Sequence, residues 1–109
     1  MNVKVFHLGI CFYNDKISKM SRYKIGDDAE LDCTAAGIDL KYLWSFIDEN
    51  GMKNQIPMSH NISKILIKSV IPENDGMYKC EVLDKYGLKI SQSFKVSISG
   101  LFSFPIFTP

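Results

Sequence analysis

The stretch NDGMYKCEV, residues 74–82, decides the fold, because it joins a turn to a strand of alternating character. Its Asn-Asp-Gly start has the residue types that favour tight turns. Tyr78, Cys80 and Val82 then occupy every second position, so their side chains share one face of an extended strand. The stretch therefore predicts a strand whose buried face carries a tyrosine and a cysteine.

The same alternation recurs on both sides of this strand. Apolar residues occupy every second position in four further segments, 29–35, 42–46, 65–67 and 94–98. The turn-forming sequence DENG, residues 48–51, follows segment 42–46, and DKYG, residues 84–87, precedes segment 94–98. No stretch of twelve residues has a convincing helical period. The chain is therefore predicted to be all-β, with two packed antiparallel sheets.

Composition limits the classes of function. A chain of 109 residues fits one compact domain, and an apolar content of 46% excludes a disordered protein. The formal net charge is +1 with acids and bases interspersed, which predicts no nucleic-acid partner and no polybasic membrane patch. No apolar run reaches the roughly 18 residues of a membrane-spanning helix, so no membrane span is predicted within the chain.

Four residues carry a resemblance to a known family. Cys33 and Cys80 occupy inward positions of separate strands, Trp44 lies between them, and Tyr78 precedes the second cysteine by two. Over residues 17–98 this combination resembles the immunoglobulin superfamily. The resemblance implies a sandwich with Greek-key connections and a disulfide between the two cysteines. It also implies a tryptophan packed on that disulfide and a tyrosine that hydrogen-bonds to the chain upstream.

The spacing is similar to that of the family's intermediate set. The cysteines are 47 positions apart, which is too short a separation for the extra C′ and C″ strands of a variable-type domain. Gly26, Val70 and Gly87 also match that set. Asn74 stands where the family usually has an aspartate, and Asp75 comes one step late. We therefore expect Asn74 to bond to backbone, to form no ion pair, and to weaken that edge of the sandwich.

The two ends of the chain are assigned separately from the domain. Residues 1–16 contain one early lysine and a short apolar run, and three interpretations stay open: a degraded or incomplete secretory leader, an extra first strand, or a frayed terminus. Residues 99–109 form an apolar tail with two prolines. Cys11 is the unpaired cysteine, either buried in an N-terminal strand or a free thiol. His7 and Cys11 are too few to predict a metal site, and no metal or cofactor is predicted.

A candidate binding surface follows from strand parity. If Trp44 and Cys80 point inward, then Leu43, Ile47 and Leu83 point outward on the sheet of strands C, F and G. We expect them to form a modest apolar patch that binds a protein ligand or another immunoglobulin domain. The alternative is that they are scattered exposed residues without a function. The outer face of the opposite sheet is expected to be mostly charged.

The loops offer a second candidate surface. The B–C loop, within residues 35–41, and the F–G loop at 84–87 are expected at the same end of the sandwich. Tyr86 is the anchor predicted there, since an exposed aromatic ring offers much contact area at little entropic cost. The alternative is that Tyr86 packs against its own hairpin.

The functional prediction is a non-catalytic recognition or adhesion module. No catalytic triad, phosphate-binding loop or facing pair of carboxylates is evident, so an enzyme is not predicted. A disulfide requires an oxidising compartment, and the sequon at Asn61 agrees with an extracellular or cell-surface location. The module is expected to be either one unit of a larger multidomain protein or a truncated gene product. The alternative is an intracellular structural spacer of the muscle-filament type, in which Cys33 and Cys80 are reduced.

Overall fold

The computed structural model describes residues 9–13, 19–48, 50–57 and 60–100. These residues form nine strands and one 3-10 turn at Pro72–Asn74. The prediction of an all-β protein is confirmed. The strands are β1 Cys11–Phe12, β2 Lys19–Lys24, β3 Ala29–Asp32, β4 Ala35–Ala36, β5 Lys41–Ile47, β6 Lys53–Gln55, β7 Lys64–Ile67, β8 Gly76–Leu83 and β9 Lys89–Ser99.

Two layers face each other across the core. The larger layer is a five-stranded sheet in the order β2-β9-β8-β5-β6, and the second layer contains the pairs β3-β7 and β1-β4. One pair corrects the expectation of a wholly antiparallel sandwich, because β2 runs parallel to β9. This pairing joins segments far apart in sequence, so residue alternation within each strand carries no information about their relative direction.

A second correction concerns β6, which extends the five-stranded sheet beyond β5 although strand C′ was not expected. The turn before it is held by Asp48, whose Oδ1 accepts hydrogen bonds from the backbone N–H groups of Asn50 and Met52, both at 2.9 Å. This closed turn brings Lys53–Gln55 back alongside β5. Three residues are enough to pair, so the short intercysteine spacing still accommodates a brief edge strand.

The disulfide and the tryptophan lie at the centre of the core. Cys33 and Cys80 are joined by the expected disulfide, and both are buried. Trp44 is fully buried, its ring centroid lies 5.6 Å from that of Phe94, and its indole N–H donates to the carbonyl oxygen of Ile62 at 2.8 Å. The indole thus buries its apolar ring without leaving its donor unpaired. The surrounding core contains Ile10, Leu31, Ala35, Ile65, Tyr78, Val82 and Val96.

The turn before β8 is tied down by three neighbouring side chains. The hydroxyl of Tyr78 donates to the carbonyl oxygen of Asn74 at 2.7 Å, as the family resemblance implies. The Asn74 side-chain oxygen accepts from the N–H of Ile71 at 2.8 Å. Asp75 lies 3.7 Å from Lys95 and accepts from the N–H of Ile98 at 2.8 Å. Asn74 thus bonds to backbone as expected, and the ion pair that its amide cannot form is made by Asp75 with Lys95.

The N-terminal residues that the structure describes join the sandwich. Ile10 is buried in the core, and Cys11 pairs with Ala36 as part of β1. Cys11 is a partly buried free thiol, so its two predicted descriptions hold together. Residues 1–8, 14–18 and 101–109 lie outside the described residues. The leader, the domain boundary at residue 17 and the apolar tail therefore stay predictions.

Candidate protein-binding face

The outer side of the five-stranded sheet is rich in basic side chains. Trp44, Cys80 and Phe94 point into the core, so the alternate positions of β5, β8 and β9 point to solvent. The strand registers extend this alternation to β2 and β6 at the two edges. The basic residues at these outward positions, which we call the lysine face, are Arg22, Lys24, Lys41, Lys53, Lys79, Lys89 and Lys95.

One acidic residue, Glu81, lies within the lysine face. Its side chain is only 9% exposed and lies 3.3 Å from Lys53, 3.5 Å from Lys89 and 3.9 Å from Lys79. Lys53 belongs to β6 and reaches Glu81 on β8 across the intervening strand β5. Ser45 of β5 is buried although it occupies an outward position. The carboxylate therefore gathers three ammonium groups on the sheet surface.

The ionisation of Glu81 reflects two opposing effects. Burial on its own raises the pKa of this carboxyl group, because desolvation disfavours the charged form. The hydrogen bond from Lys53 and the charges of Lys53, Lys89 and Lys79 outweigh burial and lower the pKa below its ordinary value of 4.5. Glu81 is therefore ionised at neutral pH and anchors the lysine cluster.

Leu43 and Leu83 come together at one end of the lysine face. Leu83 is 38% exposed, and both leucines line a hollow of about 340 Å³ that opens to solvent. We call this the leucine hollow. The hollow combines an apolar surface with charged walls, as small recognition sites commonly do. Its other lining residues are Lys41, Tyr42, His60, Glu81 and Lys89.

The structure does not bring Ile47 to the leucine hollow. Ile47 lies four residues along β5 from Leu43, about 13 Å away, and pairs with Met77 on β8. Ser45 and Lys79 occupy the row between them. Ile47 and Met77 instead line a separate hollow of about 620 Å³, together with Phe46, Asp48, Pro72, Glu73, Asp75, Gly76 and Lys95. The expected single patch is thus divided by polar and charged residues.

The B–C and F–G loops lie at the same end of the sandwich, as expected. The N–H of Lys85 donates to the carbonyl oxygen of Ile38 at 3.0 Å, which joins the two loops. Tyr86 is 68% exposed, with Lys85 Nζ 5.6 Å from its ring centroid. Buried Asp84 shapes the loop, because its Oδ1 accepts from the N–H groups of Tyr86 and Leu88 at 2.8 and 2.9 Å. Tyr86 is therefore presented to solvent by a braced loop.

Asn61 covers the edge of β5 beside the leucine hollow. Its side-chain oxygen accepts from the N–H of Tyr42 at 3.2 Å, and its own N–H donates to the carbonyl oxygen of Tyr42 at 2.9 Å. The residue is exposed with φ at 61°, a left-handed conformation that asparagine tolerates better than most residues. Neither bond uses the side-chain nitrogen, which is the atom that N-glycosylation modifies.

The second layer has a different outer surface. Glu30 pairs with Leu66, and Asp32 pairs with Lys64, so acidic, basic and apolar groups alternate there. Leu66 is 56% exposed. Among the described residues, no group of three or more histidine, cysteine, aspartate or glutamate side chains is placed to hold a metal ion, and His7 lies outside them. In the same part of the chain, no helix has the length and apolar character needed to cross a bilayer.

Comparison with known proteins identifies the architecture. No protein-family model matches the chain, and no curated protein matches it. Among solved structures, the N-terminal four Ig domains of Dscam1 isoform 6.44 match over 84% of this chain, with 20% identity and a TM-score of 0.72. The corresponding domains of Dscam1 isoform 4.44 match with 18% identity and a TM-score of 0.74. The chain has an immunoglobulin fold.

A third match extends the comparison to a longer protein. The N-terminal eight Ig domains of the Down Syndrome Cell Adhesion Molecule match this immunoglobulin domain over 87% of its length, with 22% identity and a TM-score of 0.67. The chain spans 25% of the Dscam1 isoform 6.44 structure, 24% of the isoform 4.44 structure and 12% of the eight-domain structure. The fold prediction is confirmed, while assignment to the intermediate set stays a prediction.

The basic character of the immunoglobulin domain's outer face was missed from the sequence. On this sheet, strand alternation predicts an outward apolar set only for β5 and β8, where Leu43, Ile47 and Leu83 stand out. The alternation of β9 contained a usable signal, because Lys89 and Lys95 share the outward parity of this strand. The positions contributed by β2 and β6 had no such signal, since the pairing of both edge strands was not predicted.

Proposed function

We propose that this immunoglobulin domain is a non-catalytic recognition or adhesion module that binds another protein in the extracellular space. The leucine hollow carries the proposal, because Leu43 and Leu83 are open to solvent between charged side chains on a rigid sheet. Binding energy in protein interfaces concentrates at such apolar centres surrounded by polar groups. The loop end with Ile38 and Tyr86 is a second surface that the same module offers.

Two further observations support an extracellular adhesion role over an intracellular spacer. The Cys33–Cys80 disulfide is suited to an oxidising compartment, where such bonds persist. The structurally similar Dscam1 structure contains four Ig domains, and the longer match is a cell adhesion molecule by name. A chain of one domain that spans a quarter or less of those structures fits one unit of a larger protein.

The test is a binding screen of the multimerised domain against purified extracellular proteins, with matched surface variants. Leu43→Glu and Leu83→Glu place charges in the leucine hollow, while Leu66→Glu makes the same change on the outer face of the second layer. We expect a captured partner to lose binding to the first two variants and to keep binding to Leu66→Glu. Binding that survives both hollow variants with the fold intact overturns the assignment of the hollow.

A further inference from the structure

Almost all the charged side chains at outward positions of the five-stranded sheet are positive. Arg22 and Lys24 of β2, Lys41 of β5 and Lys95 of β9 add to the three lysines around Glu81. Among the outward positions on the described strands of this sheet, Glu81 is the one carboxylate, while Asp75, 3.7 Å from Lys95, lies in the turn before β8. Glu81 is nearly buried beneath the lysines, whose side chains remain 34% to 58% exposed. A ligand approaching this face therefore meets ammonium groups before it meets the carboxylate.

This positive field is local to one face. The whole chain has a net charge of only +1, so acidic residues elsewhere balance the lysine face. Exposed Asp27 and Asp28 lie in the turn between β2 and β3, and exposed Glu30 lies on β3 in the second layer. A molecule with such separated charges orients a charged partner toward one surface as it approaches.

The same charges disfavour pairing of the face with a second copy of itself. A symmetric dimer places the same patch on both subunits, so every outward lysine would approach a positively charged surface. Like charges brought together at an interface cost binding free energy and suppress that pairing. The partner of this face is therefore a different surface with negative charge.

The leucine hollow decides between kinds of anionic partner. Its apolar surface from Leu43 and Leu83 lies between Lys41 and Lys89, and its volume is about 340 Å³. An apolar side chain flanked by carboxylates complements both features at once. A sulfated polysaccharide supplies the negative charge but has no apolar side chain to bury there.

We propose that the lysine face selects an acidic protein surface whose exposed apolar side chain seats in the leucine hollow. This inference rests on the proposed function and adds the chemistry of the partner. Glu81 is a positioning residue in this scheme. It holds the ammonium groups of Lys53, Lys79 and Lys89 over the sheet and reduces their mutual repulsion.

The test uses isotope-labelled full chain titrated with four probes, followed by backbone amide chemical shifts. The probes are a short peptide with a central leucine flanked by glutamates, its glutamine analogue, its lysine analogue, and a heparin oligosaccharide. We expect the glutamate peptide to shift the amides of Leu43, Glu81 and Leu83 most strongly. Its affinity should fall as salt is raised, since exposed charge pairs are screened.

Matched variants separate a local charge effect from net charge. Lys41→Gln with Lys89→Gln removes two charges beside the hollow, and Lys64→Gln with Lys68→Gln removes two from the second layer. We expect the first pair to weaken glutamate-peptide binding about threefold to tenfold and the second pair to leave it within about twofold. Equal weakening by both pairs overturns the proposal.

The remaining outcomes distinguish this inference from the proposed function. If the glutamine or lysine peptide binds the hollow as well as the glutamate peptide, the hollow recognises protein without selecting acidic partners. If heparin shifts the lysine face while the peptides do not, the partner is a sulfated polysaccharide. If no probe shifts the face, both the acidic partner and the hollow as a binding site are overturned.

Discussion

The ammonium group of Lys53 lies 3.3 Å from the carboxylate of Glu81, although β5 separates their two strands. This contact crosses the outer surface of the sheet above β5. A residue at an edge strand thereby reaches the middle of the sheet. The contact links the stability of the fold to the arrangement of its lysine face.

Replacing Glu81 with glutamine should destabilise the fold by about 1 to 2 kcal/mol. The change removes a nearly buried charge with three lysine partners and leaves those lysines to repel one another. Urea unfolding at neutral pH measures the difference. Glu30→Gln on the second layer is the matched control, and we expect its effect to stay within about 0.5 kcal/mol.

The effect of Glu81 should also depend on pH. The pKa of Glu81 is lower in the folded state than its ordinary value of 4.5. The contribution of Glu81 to folding stability is therefore fully present above pH 4.5 and is lost as the pH falls through the folded pKa. The stability gap between wild type and Glu81→Gln should therefore narrow in acid. Unfolding curves collected from neutral pH to about pH 3 check this, and a gap that stays constant contradicts it.

The core could be predicted from local sequence because its signals are local. Cys33, Trp44, Tyr78 and Cys80 each occupy an inward position of their own strand, and the structure buries all four. Period-two alternation determines which face a residue occupies without knowledge of the neighbouring strand. The disulfide then follows from the family resemblance rather than from the alternation.

The candidate site could be predicted only in part, because it depends on pairing between distant segments. The alternation predicts outward positions for Leu43 and Leu83, and in the structure both residues line one hollow. Their basic neighbours come from strands whose register is set by tertiary packing. Lys53 reaches the site from β6, and Arg22 joins the face through the parallel pairing of β2 with β9. No periodicity within one segment contains that information.

Replacing Tyr78 with phenylalanine should cost about 1 to 2 kcal/mol of folding stability. The ring remains, but the hydrogen bond to the Asn74 carbonyl at 2.7 Å is lost in a nearly buried setting. Urea unfolding measures the cost. Tyr86→Phe is the control, since Tyr86 is 68% exposed and its change should have little effect.

Ionisation of Tyr78 should also lower the stability of the folded domain in alkali. Burial raises the pKa of its hydroxyl above 10.0, and the nearby charge of Asp75 raises it further. The unfolded chain releases the phenolic proton at lower pH than the folded chain, so stability falls as pH rises beyond about 10. Tyr78→Phe should lack this component. An identical alkaline slope in wild type and variant rules out the assignment.

The disulfide should supply a large part of the stability. Replacing Cys33 and Cys80 together with alanine should cost about 4 kcal/mol, because the bond closes a long loop between residues 47 positions apart. Cys11→Ala is the control, as Cys11 is a free thiol at the edge of the fold. Thiol titration of denatured, unreduced protein should find one reactive group, against three after reduction. Three reactive groups before reduction would support the intracellular spacer.

Asn61 should have separable roles in glycosylation and in folding. Expression through a secretory pathway should add an N-linked glycan there, and both Asn61→Ala and Ser63→Ala should remove it, as intact-protein mass spectrometry would show.

Of these two variants, only Asn61→Ala should also lower the stability of the fold, by about 1 to 2 kcal/mol. Alanine cannot accept from the Tyr42 N–H, and it is less tolerant of a φ of 61°. Ser63→Ala keeps Asn61 and therefore both of these features. It also keeps the backbone carbonyl oxygen of Ser63, which accepts from the Cys33 N–H at 2.8 Å. Equal stability of the two unglycosylated variants would show that Asn61 does not stabilise the edge of β5.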